Sequence, residues 1–251
     1  MGALMRAGAA DGASLMVVVV RKRALAALIL LIAVVFLITS NTFWRWMYPI
    51  GYQPEIRRAA SEAHIDPLLV ASVIRVESQF HSEDVSHAGA IGLMQLMPDT
   101  AQWLANQMNG ASGSRAHAGA EGSAGNVGGA GNAGGAAASG SNAAGSPVDT
   151  ARLADPDVNI RLGTWYIRYL VDLFHGNQVA AIAAYNSGPK RVSEWLADGT
   201  WNGQLKTLND IPVGETRHFV GRVFYNYDLY QRIYGNDPLW RKPPAAGEAV
   251  K

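Results

Sequence analysis

An all-α domain behind a single N-terminal membrane-anchor helix is the architecture this sequence predicts. Three observations predict it. One charge-free apolar run near the N-terminus is long enough to enter a bilayer. After it, apolar residues recur at helical spacing almost to the end of the chain, punctuated by Asp-Pro, Asn and Gly boundary signals. Convincing period-2 alternation, the mark of a half-buried strand, is absent from the sequence.

The apolar run, residues 24–40, reads ALAALILLIAVVFLITS and contains neither a charge nor a helix breaker. About 17 to 20 helical residues at ~1.5 Å each cover most of a bilayer's hydrocarbon core. Arg21, Lys22 and Arg23 precede the run, and Phe43, Trp44, Trp46 and Tyr48 follow it. Basic residues mark the cytoplasmic side and aromatics the opposite headgroup layer. The expected order is a cytoplasmic segment (1–23), a transmembrane signal-anchor helix (24–44) and a juxtamembrane linker (45–53), with the rest of the chain outside the cytoplasmic membrane. A cleaved signal peptide is the rival reading; Thr39-Ser40-Asn41 is a poor small-residue cleavage site.

Pro54 sits in the first turn of a short helix reaching Ala63. Asp66-Pro67 repeats that signal, with Asp66 as N-cap. In the helix that follows, positions 69, 70, 73, 76 and 77 turn toward one side, so Glu77 shares the inward face. Pro98-Asp99-Thr100 opens another helix to about Met108. Residues 110–147 are then almost all Gly, Ala, Ser and Asn. Such a stretch buries too little apolar area to offset its chain entropy, and it reads as a flexible insertion within one domain. Asp155-Pro156-Asp157 starts what reads as the longest core helix, with an apolar stripe of Val158, Ile160, Leu162, Trp165, Tyr166, Tyr169, Leu170 and Leu173. Asn177 caps the next helix, to about Tyr185. Gly188-Pro189 breaks it and begins another, to about Ala197. Residues 200–214 are loop-like, and 215–234 form a last, aromatic-rich helix. The domain is expected over 54–235, with a C-terminal tail at 236–251.

Composition narrows the function. The formal net charge is +1, and no basic helix or aromatic-basic repeat occurs, so nothing points to nucleic acid. There are no cysteines, which excludes disulfides, a thiol nucleophile, a cysteine-based metal site and a lipobox anchor. The six histidines form no ligand pattern: His81 and His87 lack a third ligand at helical spacing, and no metal or cofactor is expected.

The chemistry concentrates at Glu77. A carboxyl on the last turn of a buried helix is costly to ionise, which suits a proton donor near neutral pH. Glu77-Ser78, the 86–97 stretch with Gly89 and Gly92, and Ala184-Tyr185-Asn186-Ser187-Gly188-Pro189 place small, polar and aromatic residues where a plain core does not need them. A weaker fourth segment contains Glu215-Thr216-Arg217. Each has a plainer reading. Glu77 as a structural acid, Met94 and Met97 as core filler, Tyr185 as a packed tyrosine and Glu215 as a helix-start acid are all ordinary roles.

In order, Glu77-Ser78, Gly92-Leu93-Met94-Gln95, Ala184-Tyr185-Asn186-Ser187-Gly188-Pro189 and Glu215-Thr216-Arg217 resemble the four motifs of the soluble lytic transglycosylase catalytic domain, a goose-type-lysozyme-like group. The resemblance covers about 54–234, interrupted by the glycine-rich insertion. It implies a lysozyme-like (SLT) helical domain with a glycan-binding cleft. It implies peptidoglycan glycan strands as partner and cleavage of the MurNAc–GlcNAc linkage to a 1,6-anhydro end. Glu77 matches the single catalytic acid. Ser86 and Gln95 match polar residues lining the saccharide site, and Met97 an apolar contact beside the acid. Tyr185 matches a tyrosine that orients the acid, Asn186 a glycan contact, and Glu215 an acid at the cleft edge. A hydrolytic muramidase of the same fold and a non-catalytic glycan-binding envelope protein are the alternatives. The usual two-carboxylate scheme needs a second acid, and the nearest in sequence, Glu83 and Asp84, fall in a loop.

Overall fold

The structure is a computed structural model that describes residues 22–113 and 150–241. Most of the 110–147 insertion, the N-terminal 21 residues and the end of the tail lie outside the described residues. The described chain divides into two units, one ending at Met47 and the other starting at Tyr48.

The first unit holds α1 (Lys22–Thr39) and α2 (Asn41–Met47). The expected single helix over 24–44 is instead this pair, bent by 65° at a break that includes Ser40. The Ser40 hydroxyl donates to the Leu37 carbonyl (2.9 Å) and accepts from the Phe43 amide (3.3 Å), ending one helix and capping the next. No single described helix is long and apolar enough to cross a membrane; the bent pair passes that test together, by length and composition. Along α1, Leu28 to Ile32 and Phe36 are all exposed.

The second unit is helical, and its described residues contain no strand, only isolated β-bridges at Val85–Ile91 and Ile91–Leu96. Its helices are α3 (Gln53–Ala63), α4 (Pro67–Glu77), α5 (Pro98–Gly113), α6 (Thr150–Ala154), α7 (Pro156–Leu173), α8 (Gln178–Ser187), α9 (Pro189–Ala197) and α10 (Gly214–Tyr234). A short 3-10 turn, Leu205–Asp210, lies in the loop before α10, which at 21 residues exceeds the 18 of α7. The expected caps form. Asp66 accepts from the Leu68 amide, Asp155 from the Asp157 and Val158 amides, and Asn177 from the Val179 and Ala180 amides.

α4 is the centre of the core. Every residue from Pro67 to Ile74 is buried, so this helix is apolar all round rather than on one stripe. α10 packs along it and α3 lies against it. Each such Leu or Ile contributes roughly 1.5–3 kcal/mol by burial. Only at Arg75, Val76 and Glu77 does α4 emerge toward the surface. Its start is fixed by one carboxylate. Asp66 caps α4 through Oδ1, while its Oδ2 accepts from Tyr227 Oη (2.8 Å) and Gln231 Nε2 (2.9 Å) on α10.

α7 packs against α3 and α8. Its buried face is Asn159, Ile160, Leu162, Gly163, Thr164, Tyr166, Ile167 and Leu170. This differs from the expected stripe: Leu173 is 41% exposed, and Val158, Trp165 and Tyr169 are only partly covered. Small and polar residues, Asn159 and Gly163, take the inward places instead. Beyond α10 the chain stays packed: Trp240 is buried against Tyr234 (centroids 5.6 Å), with the Arg57 guanidinium 5.7 Å from its ring.

Candidate active site

Glu77 ends α4. Ser78 caps it, and Gln79 and Phe80, both at positive φ (53° and 69°), turn the chain away. The Glu77 carboxyl is partly buried. Burial pushes its pKa from an ordinary 4.5 up to about 8; the negative charge of Glu215 adds to the rise and the Arg222 guanidinium opposes it. The group therefore holds its proton at neutral pH. Glu215 is exposed, at the start of α10, and Arg222 lies two turns further along the same helix.

Facing this helix end is the loop 84–97, which closes on itself. Ser86 accepts from the Ala90 amide through Oγ (3.0 Å), and the Gly92 amide reaches the Asp84 carbonyl (2.8 Å). Gln95 stands at φ 47°, and its side-chain amide donates to the carbonyls of Asp84 (3.1 Å) and Gly92 (3.0 Å). Gly89 and Gly92 differ in purpose. Both have positive φ, but a Cβ at Gly89 meets nothing, whereas one at Gly92 would lie 2.5 Å from Asn159 Nδ2. Close approach is required at Gly92 alone of these two.

Side chains from three helices grip the loop backbone. From the end of α4, Ser78 Oγ donates to the Leu93 carbonyl (2.8 Å). From α8, Tyr185 Oη donates to the Met94 carbonyl (2.8 Å). From α7, the fully buried Asn159 donates to the carbonyls of Ile91 (2.9 Å) and Leu153 (2.8 Å) and accepts from the Met94 amide (2.8 Å). Met94 itself is fully buried with its sulfur against Gly163, where a Cβ would come within 2.4 Å of Sδ. Met94 is thus core, and Met97 is partly exposed at the mouth of α5.

Tyr185 is buried, and its hydroxyl spends its proton on the loop rather than on Glu77. Its pKa is raised well above 10, first by burial and then by the nearby charges of Glu77 and Tyr166, so it stays a neutral donor. The ring stacks on Phe219 (6.3 Å, 8°). Asn186 is partly exposed, and its Oδ1 accepts from the buried Thr216 Oγ1 (2.7 Å), tying α8 to the start of α10. Glu83 and Asp84 are exposed loop residues.

The arrangement brings Tyr185 and Glu215 each into electrostatic reach of Glu77 and places the loop of Gln95 against the ends of α4 and α8. Ser86 sits at the loop's far bend, closing its own turn. Sequence reasoning missed Asn159 and Arg222, and it gave Thr216 only as part of the fourth motif, without its bond to Asn186. Asn159 left one signal: it shares an i, i+4, i+7, i+11 row with Gly163, Tyr166 and Leu170, a polar residue on an inward stripe. Among the described residues no group of His, Cys, Asp or Glu is arranged to hold a metal ion.

Residues 54–119 and 136–207, more than half of the chain, match the family model of the transglycosylase SLT domain. The unmatched gap between them falls inside the Gly/Ala-rich insertion. The chain is similar to the soluble lytic murein transglycosylase of Escherichia coli (strain K12), 28% identical over 191 residues covering 76% of this chain and 24% of that protein. It is 31% identical to the membrane-bound lytic murein transglycosylase C of Actinobacillus pleuropneumoniae serotype 5b over 148 residues, which cover 56% of this chain and 32% of that one. Among solved structures, the 70 kDa soluble lytic transglycosylase of Escherichia coli aligns with a TM-score of 0.58 and 26% identity over 79% of this chain and 27% of that chain. The chain thus spans about a quarter to a third of the length of these relatives. The helical arrangement of the second unit is that of the lysozyme-like domain its motifs resemble.

Proposed function

From the membership of this chain in the transglycosylase SLT domain family, we propose that it is a peptidoglycan lytic transglycosylase with Glu77 as its one catalytic acid and base. The observation that carries this is a carboxyl at the end of α4 whose burial raises its pKa to about 8, beside a loop hydrogen-bonded by side chains from three helices. Glu77 gives its proton to the glycosidic oxygen as the C1–O bond after MurNAc breaks, releasing the GlcNAc hydroxyl. The acetamido group of that MurNAc stabilises the developing cation at C1. The Glu77 carboxylate then takes the proton of the sugar's own C6 hydroxyl, and that oxygen bonds to C1. The product is a 1,6-anhydro-MurNAc end, no water is consumed, and Glu77 finishes protonated.

Ser86, Gln95 and Met97 supply the saccharide-facing side of the loop, and Asn186 and Glu215 the opposite rim. The role of Tyr185 is to hold the loop beside the acid. α1, with its basic flank, supports an N-terminal association with the cytoplasmic membrane, with the second unit outside the cell membrane.

One observation favours a second reading. Glu215 is a carboxylate within electrostatic reach of Glu77, and a hydrolytic muramidase would use such a group to activate water. Mass spectrometry of digested sacculi separates the two, because their products differ by one water. Wild type should yield anhydro ends and Glu77→Gln none. Reducing ends from wild type would replace the lyase with the muramidase, and undiminished cleavage by Glu77→Gln would remove Glu77 from the chemistry.

A further inference from the structure

Trp103 on α5 and Trp165 and Tyr169 on α7 make a cluster that the reaction above leaves unused. Trp103 meets Tyr169 edge-on at 5.1 Å and Trp165 at 6.4 Å, and Trp165 stacks on Tyr169 at 6.0 Å and 9°. All three are partly exposed, although periodicity assigns Trp165 and Tyr169 to the core stripe. The cluster is continuous with the candidate site. Tyr166 packs 6.5 Å from Trp103 on one side and 5.4 Å from Tyr185 on the other. Trp103 also lies six residues, about 9 Å of helix rise, beyond Met97. The charges next to it are committed to each other: Arg168 and Asp172, one turn apart on α7, form an ion pair at 2.7 Å.

We propose that Trp103, Trp165 and Tyr169 form an aromatic ledge on which the glycan strand lies beyond the linkage being cleaved. This rests on the glycan-cleaving reading above and names where that site continues. A β-linked pyranose presents an apolar, electropositive C–H face and carries its hydroxyls at the rim. The face of a Trp or Tyr ring is electron-rich and apolar, and it matches the sugar face while the hydroxyls stay in water. A neutral aromatic surface suits a saccharide, where a basic one would suit a polyanion. A polymer whose reacting bond sits at Glu77 must leave the site along some path. The buried rings of Tyr185 and Tyr166 connect the site to Trp103, where the aromatic side chains reach the surface and can meet such a strand.

The test uses the full chain made inactive by Glu77→Gln, with binding to defined GlcNAc–MurNAc oligomers of increasing length measured by calorimetry. Affinity should rise with length until an oligomer reaches the ledge. Adding Trp103→Gln or Trp165→Gln should lower affinity for the long oligomers about fivefold and leave the shortest unchanged, while Trp165→Phe, which keeps a ring face, should restore most of the loss. Melting curves check that each variant is folded, and Trp103→Leu or Trp165→Leu, which keep apolar bulk without a ring face, provide the measurement if a polar replacement is not. Folded Gln variants that bind long oligomers as tightly as the parent would overturn the ledge alone. No affinity of the parent for any oligomer, together with no cleavage by wild type, would overturn the glycan reading and the ledge with it. A self-associating chain whose dimer is lost in Trp165→Gln would make the ledge an interface between copies instead.

Discussion

The proton on Glu77 is set by three groups, and each can be changed separately. Burial is the largest cause of its raised pKa, Glu215 adds to it and Arg222 opposes it. An acid catalyst works while protonated, so kcat/KM should fall as pH rises past about 8. Glu215→Gln should move that alkaline limb to lower pH, and Arg222→Met should move it higher. A pH–rate series on the three proteins reads both shifts, and a limb that stays put in both variants would detach these residues from the acid. The same proton also enters folding. Between about pH 4.5 and about pH 8 folded Glu77 keeps a proton that the unfolded chain has released. Stability therefore falls as pH rises through that window. Glu77→Gln does not share the loss, so it should gain about 2 kcal/mol on wild type between the two ends of the window, the full shift being discounted for partial exposure. Denaturant unfolding at a series of pH values measures it.

At the scale of elements, the loop 84–97 owes its shape to hydrogen bonds from outside it. Asn159→Ala would strand the Met94 amide in the core and take a donor from the Leu153 and Ile91 carbonyls, the latter keeping the Leu96 amide, and should cost about 3 kcal/mol in an unfolding titration. Tyr185→Phe removes one bond, to the Met94 carbonyl, and should cost about 1 kcal/mol and lower kcat/KM without moving the alkaline limb. A displaced limb would mean that the hydroxyl acts on Glu77 directly. These contacts also mark what a sequence discloses. The starts of α4, α7 and α8 were legible because Asp66, Asp155 and Asn177 act on amides two or three residues away. The four motif segments were legible as residue types out of place in a core. The grip of Asn159 and Tyr185 was not, because their partners lie 65 to 91 residues away and only the packed chain selects them. The all-round burial of α4 was hidden for the same reason: periodicity records the faces a helix differs in, and this one is enclosed on every side. α1 and α2 were merged in the sequence because the uncharged stretch Thr39-Ser40-Asn41-Thr42 gives no breaker signal as strong as Pro or Gly.

Across the whole molecule, the division at Met47 predicts two separable behaviours. Full-length chain should sediment with membranes, and a chain starting at Tyr48 should remain in the supernatant with its melting midpoint within about 2 °C of the parent's second unit. Recovery of the full-length chain in the supernatant would remove the membrane association proposed for α1. The second unit also couples places that are far apart. One carboxylate, Asp66, both starts the helix that ends at Glu77 and fastens it to α10, which carries Glu215 and Arg222. If the proposed activity degrades wall, a selection for cells that lose it should therefore recover Asp66 alleles as readily as alleles at Glu77, although Asp66 caps the opposite end of α4, about 16 Å of helix rise away. Inheritance of the defect would trace to misaligned helices rather than to missing chemistry.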